Sequence, residues 1–489
     1  MELDARACYE AFAARDRRFD GRFVTAVVTT GVYCRPGCPA PLPRPRNVRF
    51  YRCAAAAEEA GFRPCLRCRP ETSPGAPAWN GTSSTVSRAL RLIEAGALDD
   101  AGVDALAERL GVGDRHLRRL FDEHLGASPL AVAQTRRAHF ARRLIDDTTL
   151  GMAEIAMASG FPSVRRFNAT MRDTFRRTPR ELRASRAPHT KRNAAADALT
   201  LRVPFRAPFD WDALLEYVAG RAIPGVECVE RGVWRRAIVH AGSMGLLEVS
   251  RSAEEPALEL RVALPEPRDL IGLVTRVSRV FDVAADATSI ARHLRRDALL
   301  KRAVSLARGV RVPGAWDPFE LAVRAILGQQ VSVKGATTIA GRVARTYGAP
   351  YAGPAADGIT HQFPTPAALA DAPLESVGLT RARAATVRGL AAAVATGALD
   401  FSRLGTLDDA VTALTALPGI GPWTAHYVAM RALGEPDALP AADLGLRRVL
   451  GTGGRLASPA DVEARAEAWR PWRSYAVLAL WRHEGASAE

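Results

Sequence analysis

Two stretches of this chain combine residue types and spacings that could do chemistry. The first is a pair of knuckles, Cys34-Arg-Pro-Gly-Cys38 and Cys65-Leu-Arg-Cys68, separated by 26 residues. Each is short enough to turn two thiolates onto one tetrahedral ion, and Zn2+ suits four sulfur ligands. The surrounding segment is small and rich in arginine, so such a metal would supply much of its folding free energy. On spacing alone, this is a closed structural zinc site. The second stretch is Leu417-Pro-Gly-Ile-Gly-Pro-Trp-Thr-Ala-His-Tyr427, followed by Leu439-Pro-Ala-Ala-Asp443. It predicts a helix, a glycine hairpin, a second helix and then one carboxylate delivered to a fixed point. Gly419 and Gly421 would let backbone N–H groups approach a phosphate closely, and a helix starting near Pro422 adds its positive dipole end. Asp443 could also serve only as the N-cap of a helix over 444–450.

The rest of the composition says what must carry these groups. The chain has 489 residues, 48% hydrophobic and 24% charged, enough for three or four domains with their own cores. The formal net charge is +15, and residues 1–200 hold 33 Lys+Arg against 22 Asp+Glu, so a polyanion is the natural partner. Nearly every cation is arginine, since Lys191, Lys301 and Lys334 are the only lysines. No apolar leader or run of about 18 apolar residues is present, which predicts a cytoplasmic protein with no membrane contact. Seven cysteines in a reducing compartment argue against a disulfide framework. Cys8, Cys53 and Cys228 have no ligand spacing, and each reads as an ordinary apolar residue, Cys228 within a core or strand.

Residues 1–78 form the first expected domain. The segments from Phe23 through Cys34-Arg-Pro-Gly-Cys38 and from Gly61 through Cys65-Leu-Arg-Cys68 resemble the N-terminal domain of the Ada methylation-response proteins. That resemblance implies that Cys34 accepts a methyl group from a methylphosphotriester in DNA. Four thiolates on one divalent ion leave excess negative charge, so a nucleophilic sulfur is chemically reasonable, and methylation would remove one charge and ease repulsion from phosphates. Residues 82–186 form the second. The stretch from Val103 to Phe121 predicts helix, glycine turn and helix, with Arg115 and His116 on the polar side of the second helix, and the stretch from Ile155 to Asn168 repeats the pattern with Arg165 and Arg166. A plain helical bundle with solvated arginines is the alternative, but the paired units resemble the AraC-type DNA-binding domain, whose recognition helices enter successive major grooves. Residues 187–200 read as a basic linker.

Residues 201–283 predict a small α+β domain. Alternating apolar segments at 201–206, 233–239, 246–249 and 257–262 suggest an antiparallel sheet, with helices over 211–219 and 270–281. Residues 284–489 are rich in Ala and Leu at helical spacing and predict an all-α domain. The segment Pro318–Ser332 with its Gly-Gln-Gln, the hairpin with Asp443, and Trp472–Trp481 together resemble the AlkA class of 3-methyladenine DNA glycosylases, over residues from about 200 to 485. The resemblance implies a flipped-out alkylated base held by Trp423, Tyr427 and Trp481, with Asp443 as the catalytic carboxylate. Cation–π attraction would favour a positively charged base. It also places Gln330 where enterobacterial members carry a leucine wedge. Related enzymes that cut the strand use a lysine where Trp423 stands, so a monofunctional glycosylase without lyase activity is expected. No cysteine follows Cys228, which excludes a C-terminal iron–sulfur cluster, and the Pro-Cys-His-Arg motif of alkylguanine methyltransferases is absent.

These readings predict a multidomain α+β chain with a four-cysteine zinc domain, an all-α double helix-turn-helix domain, a small α+β antiparallel-sheet domain and an all-α helix-hairpin-helix glycosylase domain. Its expected cofactor is Zn2+; its expected partners are double-stranded DNA and, as an activator, RNA polymerase. A methyl-sensing regulator whose last domain binds DNA without cutting it is the alternative function.

Overall fold

The computed structural model describes residues 3–74, 84–99, 101–185, 198–307 and 309–487. Most of the expected linker, residues 187–197, lies outside them, as do residues 75–83, which span the join of the first two expected domains. The chain divides into two compact units, Met1–Phe205 with Glu255–Arg276, and Arg206–Glu254 with Val277–Glu489.

In the first unit, α1 (Ala5–Ala13) precedes β1 (Val24–Val27), β2 (Val32–Cys34), β3 (Val48–Tyr51), α2 (Ala54–Glu59) and β4 (Arg63–Pro64). The strands form a sheet of order β3-β1-β2-β4, in which β1 pairs antiparallel with β2 and β3, while β2 pairs parallel with β4. Such a small sheet buries little apolar surface, and the four knuckle cysteines with Phe12 make one of its few buried clusters. Helices α3 (Ser84–Glu94), α4 (Val103–Arg109), α5 (Asp114–Leu125), α6 (Pro129–Asp147), α7 (Met152–Ala158), α8 (Val164–Phe175) and α9 (Pro179–Ala184) follow. Leu106, Leu117 and Phe121 bury the inner faces of α4 and α5, and Ile155, Phe167 and Phe175 do so for α7 and α8. The 19-residue α6 starts at a Ser128 cap with Pro129 at its first position, a pre-set φ that costs no needed donor.

Beyond it lie β5 (Leu199–Pro204), α10 (Trp211–Ala219), β6 (Glu227–Glu230), β7 (Val233–His240), β8 (Ser243–Arg251), β9 (Ala257–Ala263) and α11 (Leu270–Val280). Strand β5 pairs antiparallel with β9, and β6, β7 and β8 form an antiparallel meander. Cys228 sits in β6, opposite Arg235 of β7.

The second unit continues with α12 (Ala287–Leu294), α13 (Ala298–Leu306), α14 (Pro318–Leu327), α15 (Val333–Tyr347), α16 (Pro366–Ala370), α17 (Arg381–Ala395), α18 (Leu407–Thr415), α19 (Pro422–Arg431), α20 (Leu444–Val449), α21 (Pro459–Ala466) and α22 (Arg473–Ser487). Two apolar cores support them. One surrounds Phe319, Ile326, Leu390 and Val428; the other surrounds Trp469, Met430 and Leu480. A buried ion network joins the meander to α14. Arg236 of β7 donates to Glu227 at 3.1 Å and to both carboxylate oxygens of Glu320, and Trp234 Nε1 donates to Glu227 at 3.0 Å. Desolvation raises the Glu320 pKa, against the lowering effect of Arg236. Removing one partner leaves a buried charge short of its counter-ion, so Glu320→Ala is expected to cost about 3 kcal/mol in urea unfolding, with Glu227 as the remaining partner. A loss below about 0.5 kcal/mol, the range of ordinary surface substitutions, would show that the network is neutral for stability.

Candidate active site and DNA-binding surfaces

The zinc ligands come from the ends of short elements. Cys34 closes β2 opposite Thr25 of β1, and the turn to Cys38 is held by a Cys38 N to Arg35 O bond of 3.1 Å. Buried Asp20 fixes this knuckle by accepting from Gly37 N at 2.9 Å and pairing with Arg35 at 3.2 Å. Cys65 N donates to Tyr33 O at 2.9 Å, which seats the second knuckle beside the first. All four Sγ atoms are buried and lie within 4.8 Å of one another. Bonds from Cys38, Cys65 and Cys68 push the Cys34 thiol up, whereas its bond with Cys34 draws Cys65 down. Four thiols so close ionise together only around a cation, and the donor set fits one tetrahedral zinc ion.

Both ends of this cluster are tied to α6. Tyr33, beside Cys34, donates to Glu58 at 2.7 Å, and Glu58 also meets His139 at 3.0 Å and accepts from Thr135 at 2.6 Å. Arg69, beside Cys68, pairs with Asp146 at 2.6 Å. Sequence periodicity places His139 and Asp146 on a helix but carries no sign of these partners.

In the helix-turn-helix region, Arg115 and His116 are exposed on the first turn of α5, and Arg165 and Arg166 on the first turn of α8. Gly111 and Gly160, at φ +70° and +75°, make the preceding turns. Each pair sits at the N-terminal end of the second helix of its unit, where helix-turn-helix proteins read base edges.

In the second unit, a glycine hairpin joins α18 and α19, as the spacing predicts. Gly419 has φ +85°, and a Cβ there would stand 2.0 Å from Thr386 Oγ1, so no other residue fits. Gly421 has φ −91°, a conformation open to any residue, and caps α19 with open space above it. Its contribution is room for an approaching group. Trp423 and Tyr427 follow at i and i+4 on α19 and stack at 5.4 Å with a 13° interplanar angle. Trp481 of α22 lies 6.4 Å from Tyr427, tilted by 41°. Between the two indoles sits Asp443: Trp423 Nε1 donates to Oδ2 at 3.2 Å and Trp481 Nε1 to Oδ1 at 2.8 Å. Asp443 Oδ1 also accepts from Leu446 N at 3.1 Å, so it does cap α20. The cap and the indole-bound carboxylate are one group.

Behind Tyr427 lies a group that the sequence reading missed. Buried Arg431 donates through Nη1 to Tyr427 OH at 2.8 Å and to Tyr217 OH at 2.9 Å. Desolvation opposes ionisation of Tyr427, but the guanidiniums of Arg431, Arg221 and Arg324 outweigh it and bring the phenol down to about 8. Arg431 is one helical turn beyond Tyr427, a spacing that could have found it; Tyr217 is more than 200 residues away and left no such signal. Gln330 is exposed at φ +56° in the turn between α14 and α15.

Comparison with known proteins agrees with this geometry. Family models match residues 7–71 (metal binding domain of Ada), 106–185 (helix-turn-helix domain), 200–317 (AlkA N-terminal domain) and 323–474 (HhH-GPD superfamily base excision DNA repair protein). The "Probable bifunctional transcriptional activator/DNA repair enzyme AlkA" of Mycobacterium tuberculosis is 42% identical over 482 residues, covering 98% of this chain and 97% of that protein. The chain belongs to this bifunctional family.

Two Escherichia coli proteins divide the AlkA-type bifunctional chain between them. "DNA-3-methyladenine glycosylase 2" is 32% identical over 287 residues, 58% of this chain and 96% of its own length, and "Bifunctional transcriptional activator/DNA repair enzyme Ada" is 35% identical over 191 residues, 39% of this chain and 52% of its own length. A 3-methyladenine DNA glycosylase from Archaeoglobus fulgidus shares the fold over 58% of this chain and 98% of its own, with a TM-score of 0.51 at 23% identity. The four cysteines are therefore the zinc site of an Ada-type domain, and the helix-turn-helix and helix-hairpin-helix domains are DNA-binding. Among the described residues, no helix is long and apolar enough to cross a membrane.

Proposed function

We propose that the chain answers alkylation damage to DNA with two chemistries, one on each side of the linker. Residues 284–489, with the sheet domain 201–283, hydrolyse the glycosidic bond of alkylated bases such as 3-methyladenine. The single observation carrying this reading is the carboxylate of Asp443 held between the indole N–H groups of Trp423 and Trp481, next to Tyr427. The C1′–N bond breaks with its electron pair leaving on the base, positive charge develops on the sugar beside Asp443, and water adds with loss of its proton. Trp423, Tyr427 and Trp481 offer electron-rich faces to a cationic base. Gly419 and Gly421 grip the backbone, and Gln330 enters the gap, where its amide can hydrogen-bond the orphaned partner base. Release of methylated bases from alkylated DNA by the purified chain tests this, and no release by active-site-titrated protein would reject it.

Residues 1–78 take up the second chemistry. Cys34 sulfur attacks the methyl carbon of a methylphosphotriester, an S–CH3 bond forms, and the C–O electron pair returns to the phosphate oxygen. The loss of one negative charge then raises the DNA affinity of residues 1–186, whose Arg115, His116, Arg165 and Arg166 read the promoter and which recruit RNA polymerase in the cytoplasm. Equal promoter affinity before and after methylation would refute that switch. The glycosylase is also expected to lack lyase activity. Trp423 stands where a Schiff-base lysine would be needed, and the described lysines, Lys301 and Lys334, lie on α13 and α15. Borohydride reduction during turnover is therefore expected to leave no covalent protein–DNA adduct, and a trapped adduct would overturn the assignment.

A further inference from the structure

The turn that carries Gln330 is tied to the phosphate-gripping hairpin through a residue with no assigned part. Helix α14 ends at Gly328, the chain turns through Gln329 and Gln330, and Ser332 caps α15. The half-buried Gln329 amide points at the hairpin: its Nε2 donates to Gly419 O at 3.1 Å and to Thr424 Oγ1 at 3.0 Å. A carbonyl can only accept, so the Gly419 partner fixes which end of the amide faces it. Separately, the backbone carbonyl of Gln329 accepts from Arg383 Nη2 of α17 at 2.6 Å. The same helix supplies Thr386, the residue that leaves Gly419 no space for a side chain. One helix thus braces both the hairpin and the turn. The neighbouring Gln330 is held at φ +56°, a left-handed conformation that a non-glycine residue adopts only when its surroundings impose it.

We infer that Gln329 is a positioning residue: by bonding the Gly419 carbonyl and the Thr424 hydroxyl it locks the Gln330 turn to the hairpin, so that gripping the backbone and filling the vacated base position occur at one fixed separation. This rests on the glycosylase reading above. Without Gln329 the hairpin still binds DNA, but the turn samples other positions and the flipped state is held for less time.

The test uses the full chain and DNA carrying one alkylated base in single-turnover conditions, with affinity for undamaged duplex and melting temperature measured in parallel. Gln329→Ala is expected to slow base release on the order of 10-fold, the equivalent of two net hydrogen bonds, with undamaged-duplex affinity within about twofold of wild type by the same argument, since no backbone contact is lost. A 2-aminopurine opposite or beside the lesion is expected to lose its flipping signal in proportion. Gln329→Glu, which keeps the size but loses the N–H donors, is expected to behave alike and replaces the alanine variant should that one melt early. Adding Thr424→Val to Gln329→Ala is expected to cost nothing further, because both act through one contact. Wild-type release rates in both Gln329 variants would overturn the inference, and so would a loss of duplex affinity and melting temperature as large as the loss in rate. If wild type itself releases no base, the glycosylase reading fails before this one is reached.

Discussion

Asp443→Asn is expected to lower base release by about 10²- to 10³-fold, the loss seen when one pre-aimed electrostatic group is removed from an active site, while the protein stays folded. The substitution separates the cap that the structure shows from the charge that the proposed chemistry needs. As a cap, asparagine equals aspartate, and its carbonyl oxygen can still accept from Leu446 N and from Trp481 Nε1. As a charge, it fails, because the sugar that turns positive as the base departs meets a neutral amide. One local conflict remains: with Oδ1 kept on Trp481, the new NH2 group faces Trp423 Nε1, donor against donor, where Oδ2 now accepts at 3.2 Å. That lost bond is worth about 1 kcal/mol of stability, far short of unfolding. Single-turnover release of methylated bases, with thermal melting alongside, checks the prediction. A variant with the wild-type rate would leave Asp443 as the cap of α20 and nothing more. A variant that unfolds would show the cap and the indole bonds to be the larger part of its role.

Much of this architecture is legible before any coordinates, because the informative residues carry their physics locally. Cys34, Cys38, Cys65 and Cys68 announce a tetrahedral site by spacing. Gly419 announces a hairpin with close backbone approach, and the structure adds that Thr386 leaves it no room for a side chain. Trp423 and Tyr427 share a face because they are four residues apart on a helix. What spacing cannot show are partners brought together by the fold. Tyr217 and Tyr427 come together around Arg431, and Trp481 meets Asp443 only because α22 returns beside α20. Family resemblance proposes Trp481 for the pocket; only the geometry shows its indole N–H on the carboxylate. Gln329 escaped notice for a different reason. The family resemblance draws attention to its neighbour Gln330 instead, and a polar residue in a turn gives no periodic signal. At Gly421 the structure narrows the reading: its φ of −91° requires no glycine, and the open space above it leaves room for an approaching group.

Removing the metal from the first unit is expected to have the largest effect on folding. Zinc binding in small four-ligand domains is worth on the order of 10 kcal/mol of folding free energy, and the sheet β3-β1-β2-β4 has little else to replace it, since its buried clusters are small. Cys65→Ala is therefore expected to lose stoichiometric zinc by metal analysis and to open residues 3–74 to limited proteolysis. The damage should not stop at the sheet. Cys65 N is bonded to Tyr33 O, Tyr33 reaches Glu58, and Glu58 holds His139 and Thr135 on α6. At the other end Cys68 is followed by Arg69, whose guanidinium pairs with Asp146 on the same helix. When the knuckles come apart these contacts lose their anchor. His139 then has to exchange a buried Glu58 partner, which raises its pKa against burial, for water. Helix α6 has other support, from Phe140, Leu144 and Ile145 in the apolar interior, so α7 and α8 are expected to remain protected while Tyr33, Glu58 and the stretches of α6 around Thr135, His139 and Asp146 exchange faster in hydrogen–deuterium measurements. Faster exchange confined to residues 3–74 would show that the polar ties to α6 carry no coupling. Full zinc content and an unchanged proteolytic pattern in Cys65→Ala would show that three thiols suffice, and would remove the argument that the metal holds this sheet together.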